Sequence, residues 1–382
     1  MATNDGGTNG KPTVLVVVQL SGGNDFMNTV IPYRDPIYYD YRKSVGIPED
    51  QVIPIDDTYG FHPAMGPVKE IWDEGNMAIV SGVGYPNPNR SHFRSMDIWH
   101  TCEPDKVATE GWLGRAIRDM DPKKENVLTG INFGNGLPRA LVTPGVPVTS
   151  VAQLESYGLL TSIDADAQRS SALDLFKKVY GQAIGTGPVM DYIRQTGIDA
   201  MKGVDVLKQA PARYSSTVEY ADNPIAQSLR GAAQVHLADL GARVLYTQHG
   251  GYDVHANEGP SMQQLWTELS GALSDFFADL REHDASENVM ALVFTEFGRR
   301  VRDNGNGTDH GSGGGSFLIG DRVVGGMYAE YPSLAPENHL EGDLQFNYDY
   351  RGLYSSILEQ WLGLDPVPIV NGNYEQIHPF QN

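Results

Sequence analysis

The chain contains a single cysteine, Cys102, among 382 residues. No intrachain disulfide can form, and a zinc or iron–sulfur site built from cysteines is excluded. Cationic side chains are also scarce: 28 Lys and Arg stand against 48 Asp and Glu, giving a net charge of −20. Bulk charge therefore cannot recruit a nucleic-acid backbone or an anionic membrane. An anionic small molecule would have to be drawn by a local site. No apolar run approaches membrane-spanning length. The glycine-rich run Gly311–Gly315 is not followed by lysine, so it is no phosphate-binding loop of the GxxxxGK[ST] kind. There is no GxSxG elbow, which argues against a metal-free Ser-His-Asp esterase. The opening residues MATNDGGTNGKP are polar and carry no signal peptide; residues 1–12 read as a flexible lead-in.

What is present points to an α/β protein. Forty-three Gly and 23 Pro fit a loop-rich enzyme better than a helical bundle. Thr13–Leu20, Met77–Val83 and Val289–Thr295 are short apolar runs, expected as central strands of a mainly parallel sheet. Asn126–Phe133 and Arg139–Thr143 read as further short strands, and Ser316–Ile319 as another. Helices are expected at Pro67–Gly75, His92–His100, Gly111–Met120, Met262–Glu282 and Tyr348–Leu362. A helical segment is expected around residues 150–245, with periodicity in Ser171–Tyr180, Val189–Ala200 and Ile225–Tyr246. Residues 13–382 read as a single domain.

Four loops carry the chemistry. After the Val289 strand come Glu296, then Arg299, Arg300 and Arg302, then Asp309-His310 on a loop with little side-chain bulk. Carboxylate and imidazole in such a loop suit a divalent metal, and a solvated turn is the competing reading. QHGGYDVHAN, residues 248–257, offers His249, Asp253 and His255. In an extended chain, Asp253 and His255 share a face. After the first strand, Ser21-Gly22-Gly23-Asn24-Asp25 offers oxygen donors at a tight turn, or simply an Asx cap. In GYPNPNRSHFRSMDIWHT, Ser91 stands where a helix should start. It is an N-cap, a nucleophile, or both, with Arg90, His92 and Arg94 around it.

The segments LSGGNDFMNTVIP, NRSHFRSMDIW, GGYDVHAN, FTEFGRRVRDNGNGTDHGSGG and DYRGLYSSILEQWLGLD, in that order over residues 20–365, resemble the DUF1501 family of bacterial proteins. That family is related to the alkaline phosphatase/sulfatase superfamily. The resemblance implies an alkaline phosphatase-like fold with a metal site at the strand ends. It implies an exported protein, periplasmic or extracellular, that here lacks its leader. It also implies a hydrolase of phosphate or sulfate esters, on a small-molecule or glycan substrate. Ser91 would be the nucleophile, with His92 beside it. Arg90, Arg94, Arg299 and Asn24 would bind substrate. Asp25, Asp253, His255, Glu296, Asp309 and His310 would hold divalent metal, zinc first, with manganese, magnesium or calcium as alternatives. Phe297 follows Glu296 where the superfamily has a histidine, and Ser21 stands where it has an aspartate. Those departures leave room for the other reading, an exported non-catalytic binding protein that keeps the fold.

Overall fold

The structure, a computed structural model, describes residues 11–152 and 209–381, with isolated positions between 154 and 207. Nine strands among them form one sheet. They are β1 (Val14–Ser21), β2 (Met77–Gly84), β3 (Gly130–Phe133), β4 (Thr149–Val151), β5 (Val244–Gly250), β6 (Val289–Thr295), β7 (Gly314–Ile319), β8 (Gly326–Tyr328) and β9 (Tyr348–Asp349). Their order is β8-β2-β7-β6-β1-β5-β3-β4, with β9 also paired to β2. β1 runs parallel to both β5 and β6, with Ser21 opposite Gly250 and Leu20 opposite Thr295. Only β7 is antiparallel to its neighbours β2 and β6. The sheet is thus mainly parallel, as its apolar strands imply.

Helices cover both faces. Alternate residues of β1 point to opposite sides. Val14, Val16, Val18 and Leu20 join the layer of α1 (Gly66–Asp73), α4 (Pro224–Leu237) and α5 (Glu258–Glu282). Leu15 and Val17 join the layer of α2 (His92–Thr101), α3 (Trp112–Met120) and α6 (Tyr350–Ser356). The closing segment is tied to the sheet centre. Thr13 Oγ1 donates to the Trp361 carbonyl at 2.7 Å, and Trp361 Nε1 donates to the Val14 carbonyl at 3.1 Å.

Three expected elements differ. Arg139–Thr143 is not a strand: Arg139–Leu141 is one 3₁₀ turn, closed by Leu141 N to Pro138 O at 3.0 Å. Proline has no amide for a ladder and favours turns. Strand β3 begins only at Gly130, after a turn that Asn126 closes with its own side chain. The helix expected over Ile225–Tyr246 stops at Leu237. Asp239 and Gly241 take positive φ, and Val244–Gly250 then forms β5 beside β1. The β-branched and aromatic run Val244–Thr247 outweighs the helical spacing. The last helix passes from α6 into a π turn, Ile357–Trp361. The periodic stretches 171–180 and 189–200 fall outside the described residues apart from isolated positions.

The turn after β1 is held by a buried ionic cluster. Arg42 donates to both oxygens of Asp25, at 2.7 and 2.8 Å, and lies 3.8 Å from Glu258. All three side chains are buried. Asn28 and Thr308 donate to the two Glu258 oxygens at 3.0 and 2.7 Å. One guanidinium faces two carboxyls, so burial pushes the Glu258 acid well above the carboxylate range, and Asp25 adds to the rise. Glu258 therefore holds its proton more tightly in the fold than in the unfolded chain. A folded-state pKa above the unfolded one gives stability that is present at acid pH. That stability is lost as pH rises through the folded value. Wild-type urea midpoints should accordingly fall between pH 6 and pH 9, by at most about 1.4 kcal/mol per pH unit from this one proton. Glu258→Gln, which cannot ionise, should flatten that slope. An unchanged slope would mean that Glu258 is charged in the fold.

Candidate metal centre

Every strand that feeds the site ends, or in the case of β7 begins, at one edge of the sheet. β1 delivers Ser21 there, β5 delivers the loop to Asp253 and His255, and β6 delivers Glu296. β7 starts there and is preceded by the loop carrying Asp309 and His310. The N-terminus of α2 brings Ser91 and His92 to the same place. Gly22 lets the β1 turn and the Asp253 loop touch. At φ +124° it is in a region that favours glycine, and a Cβ on it would lie 2.3 Å from Asp253 N.

Three imidazoles meet Asp253. His310 Nε2 is 2.9 Å from His92 Nε2, 2.9 Å from His255 Nε2 and 3.0 Å from Asp253 Oδ1. His255 Nε2 is 2.9 Å from Asp253 Oδ1, and His92 Nε2 is 3.3 Å from Asp253 Oδ2. The donor atoms of His92, Asp253 and His310 all lie within 4.8 Å of one another.

The far nitrogens fix the tautomers. His310 Nδ1 lies 2.8 Å from the Arg90 carbonyl, which can only accept, so it carries the proton. His255 Nδ1 lies 3.0 Å from Asp309 Oδ1. His92 Nδ1 lies 2.9 Å from Glu296 Oε1, which also accepts from the Gly22 amide at 2.9 Å. In its neutral form each ring aims an Nε2 lone pair at Asp253. Lone pairs facing each other at 2.9 Å repel unless a cation lies between them. Nitrogens bound at 2.0–2.1 Å around one tetrahedral zinc sit about 3.3 Å apart, so the spacing suits an ion with little adjustment. Orienting acceptors behind each histidine are a feature of such centres. The electrostatics agree. The Glu296 hydrogen bond raises the His92 pKa and makes it a stronger base. Burial pushes Asp253 up, but the Arg299 hydrogen bond and charge outweigh it and hold the acid at about 2. The His255 hydrogen bond lowers Asp309.

Several expected roles change. His92, expected as a catalytic group beside Ser91, has both nitrogens committed to the cluster. Glu296 and Asp309 stand behind histidines rather than in the centre. Asp25 points away, with both oxygens on Arg42. Asn24 is fully buried and donates to Thr29 Oγ1 at 3.0 Å. The arginines expected to grip substrate are engaged elsewhere. Arg299 is buried, donating to the carbonyls of Gly23 (2.7 Å), Tyr252 (2.7 Å), Thr308 (3.0 Å) and Gly22, and to Asp253 at 2.8 Å. Arg90 pairs with Asp343 at 2.8 Å. Arg94 donates to Asp97 and to the carbonyls of Glu103 and Pro104. His249 turns to Tyr252 and Glu268.

Ser91 is the N-cap of α2 by position, yet its hydroxyl makes no cap hydrogen bond. The helix's first internal bond is Ser95 N to Ser91 O at 2.8 Å, so the amides of His92, Phe93 and Arg94 precede any intrahelical acceptor. A network that sequence reasoning passed over lies below. Gln19 Oε1 accepts from His100 Nε2 at 2.8 Å and from the Tyr246 hydroxyl, while Gln19 Nε2 donates to Ser21 Oγ at 2.8 Å. The only sign of it in the sequence is one glutamine in the apolar run TVLVVVQL.

No curated protein matches the chain. Several solved structures resemble it distantly. A protein in the alkaline phosphatase superfamily from Vibrio parahaemolyticus is 11% identical, with a TM-score of 0.37 over 95% of this chain and 69% of its own. The PsFucS1 sulfatase from Pseudoalteromonas sp. is 11% identical, with a TM-score of 0.41 over 96% and 71%. The C-terminal periplasmic domain of EcEptC from Escherichia coli, in complex with zinc, is 10% identical, with a TM-score of 0.42 over 98% and 94%. At such scores the chemistry has to be argued from the side chains themselves. Residues 13–366 match the family described as protein of unknown function, DUF1501, and the chain belongs to that family.

Proposed function

We propose that this protein is an exported metal-dependent hydrolase of phosphate or sulfate esters, with Ser91 as its nucleophile. The observation that carries the reading is the set of three imidazoles whose outer nitrogens are all held by acceptors while their Nε2 atoms converge on Asp253. His92, Asp253, His255 and His310 would hold one divalent ion. Imidazole donors favour zinc over magnesium or calcium, and leave manganese as the lesser alternative. Such an ion, when bound, lowers the pKa of an adjacent oxygen and offsets charge gathering on the ester.

The protein's own groups do the rest. Glu296, Asp309 and the Arg90 carbonyl keep protons on the outer nitrogens, so the inner ones stay available. Arg299 keeps Asp253 ionised and aimed. Ser91 Oγ, unclaimed by a cap bond, attacks phosphorus or sulfur and forms a covalent ester as the alcohol leaves. The free amides opening α2 lie at the positive end of its dipole and steady the non-bridging oxygens. Water then hydrolyses the serine ester. No arginine is needed for that grip, which fits their engagement elsewhere.

Plasma emission spectroscopy on protein purified without chelator should find about one zinc per chain. His92→Ala and His310→Ala should each lower metal affinity at least tenfold and remove the rise in melting temperature that zinc gives wild type. Protein without metal, and without a thermal shift from zinc, manganese, magnesium or calcium, would instead support a non-catalytic binding protein.

Ser91→Ala should leave both metal content and melting temperature unchanged, because no cap bond is lost. It should lower turnover of an aryl phosphate or sulfate on the order of 10³-fold. Full activity in that variant would point to direct attack by water.

A further inference from the structure

Beside the histidine cluster a cavity of about 690 Å³ opens, sharing His92, Glu296 and Ser91 with it. Its polar walls are largely engaged with one another. Arg94 donates to Asp97 at 2.6 Å, and Arg139 Nε lies 3.0 Å from the same carboxylate. His100 and Gln19 are bonded together at 2.8 Å. Burial pushes the His100 pKa down to about 3, so that ring is neutral. The Gln19 amide holds one lone pair of Ser21 at 2.8 Å. Of the polar side chains, the hydroxyls of Ser21 and Ser91 are the ones best placed to meet a ligand, and both stand at the end toward Glu296 and His92.

The remaining wall is apolar and wet. Phe93 is 92% exposed and Val107 71% exposed, and Met96 lines the cavity with them. A phenyl ring held in water on the second residue of a helix adds nothing to the core, and with Val107 and Met96 it makes a contiguous apolar wall of the kind a ligand covers. A sugar would need hydrogen-bond partners that this wall does not offer, and unpaired hydroxyls are costly to bury.

We infer that the cavity receives the alcohol part of the substrate ester, and that this part is apolar and aromatic rather than polyhydroxylated. The inference rests on the hydrolase reading for the position of the ester head, since His92 belongs both to the cavity wall and to the histidine cluster. The Ser21 hydroxyl, which accepts from Gln19 and lines the cavity, keeps its proton to donate to the bridging or departing oxygen.

The test separates the cavity from the chemistry. Binding of 1-naphthol, the free alcohol, is followed by its fluorescence in wild type and in the Phe93→Ser/Val107→Ser double variant, with glucose as the polar counterpart. Wild type should bind 1-naphthol saturably, and the double variant about tenfold more weakly, with no change in melting temperature because both side chains are exposed. Glucose should show no saturable binding. In parallel, wild type should hydrolyse 1-naphthyl phosphate or sulfate in preference to glucose 6-phosphate or 6-sulfate, and the double variant should lose that preference through KM. Naphthol binding that ignores the double substitution, or glucose binding as tight as naphthol, overturns the inference. Saturable naphthol binding that depends on Phe93 and Val107, in a protein that hydrolyses neither ester, upholds the cavity and overturns the hydrolase. Hydrolysis without naphthol binding does the reverse.

Discussion

Arg299 is the cation around which the site is assembled. It is buried and reaches three loops at once: the β1 turn through Gly22 and Gly23, the β5 loop through Tyr252 and Asp253, and its own loop through Thr308. These segments are remote in sequence and rich in glycine, with little apolar surface to pack. Carbonyls turned inward at the strand ends would be unsatisfied without a multivalent donor, and a guanidinium with five N–H groups in a fixed plane is suited to that task. Its charge also sets the chemistry next door. Asp253 is ionised because Arg299 faces it, and it is aimed at the histidines because the same contact fixes its rotamer. Replacing Arg299 by lysine would keep the charge while losing most of the bonds. The centre and its scaffold therefore depend on one buried residue whose donors are engaged within the protein.

The sequence disclosed the fold better than the directions of the side chains. β1, β2 and β6 were legible because apolar β-branched runs ended by Gly, Ser or Glu have few other uses in a chain of this size. β5 was misread as the end of a helix. Its apolar positions continue the spacing of α4, and the break is made by two positive-φ residues, Asp239 and Gly241, which composition barely marks. At the site, the convergence of Asp253, His255, Glu296, Asp309 and His310 with Ser91 was legible from motif chemistry. Which atom faced which was not. Arg299 and Asp25 looked like ligand-binding groups because charge near a strand end is all that a sequence displays. Burial of their partners, the loop carbonyls and Arg42, is a tertiary fact. His92 shows the same limit. Next to a serine it reads as a base, and only the placement of Glu296 behind its Nδ1 turns its Nε2 into the cluster.

Phe297 bounds the histidine cluster on its inner side. It follows Glu296 where a second histidine would extend the donor set. Its ring instead lies against His92 and His310, with centroids 4.9 and 5.2 Å away. A Cβ on Gly23 would come within 2.4 Å of it, so the β1 turn is shaped to this ring. A flat apolar side chain there does two things at once. It fills the inner side of the cluster with apolar carbon. It also packs against two of the three imidazoles whose outer nitrogens are already fixed, leaving them little freedom to rotate. Asp25, on the same turn, accepts from Arg42 with both oxygens. A histidine placed at 297 would find no carboxylate at the end of β1, where the residue is Ser21.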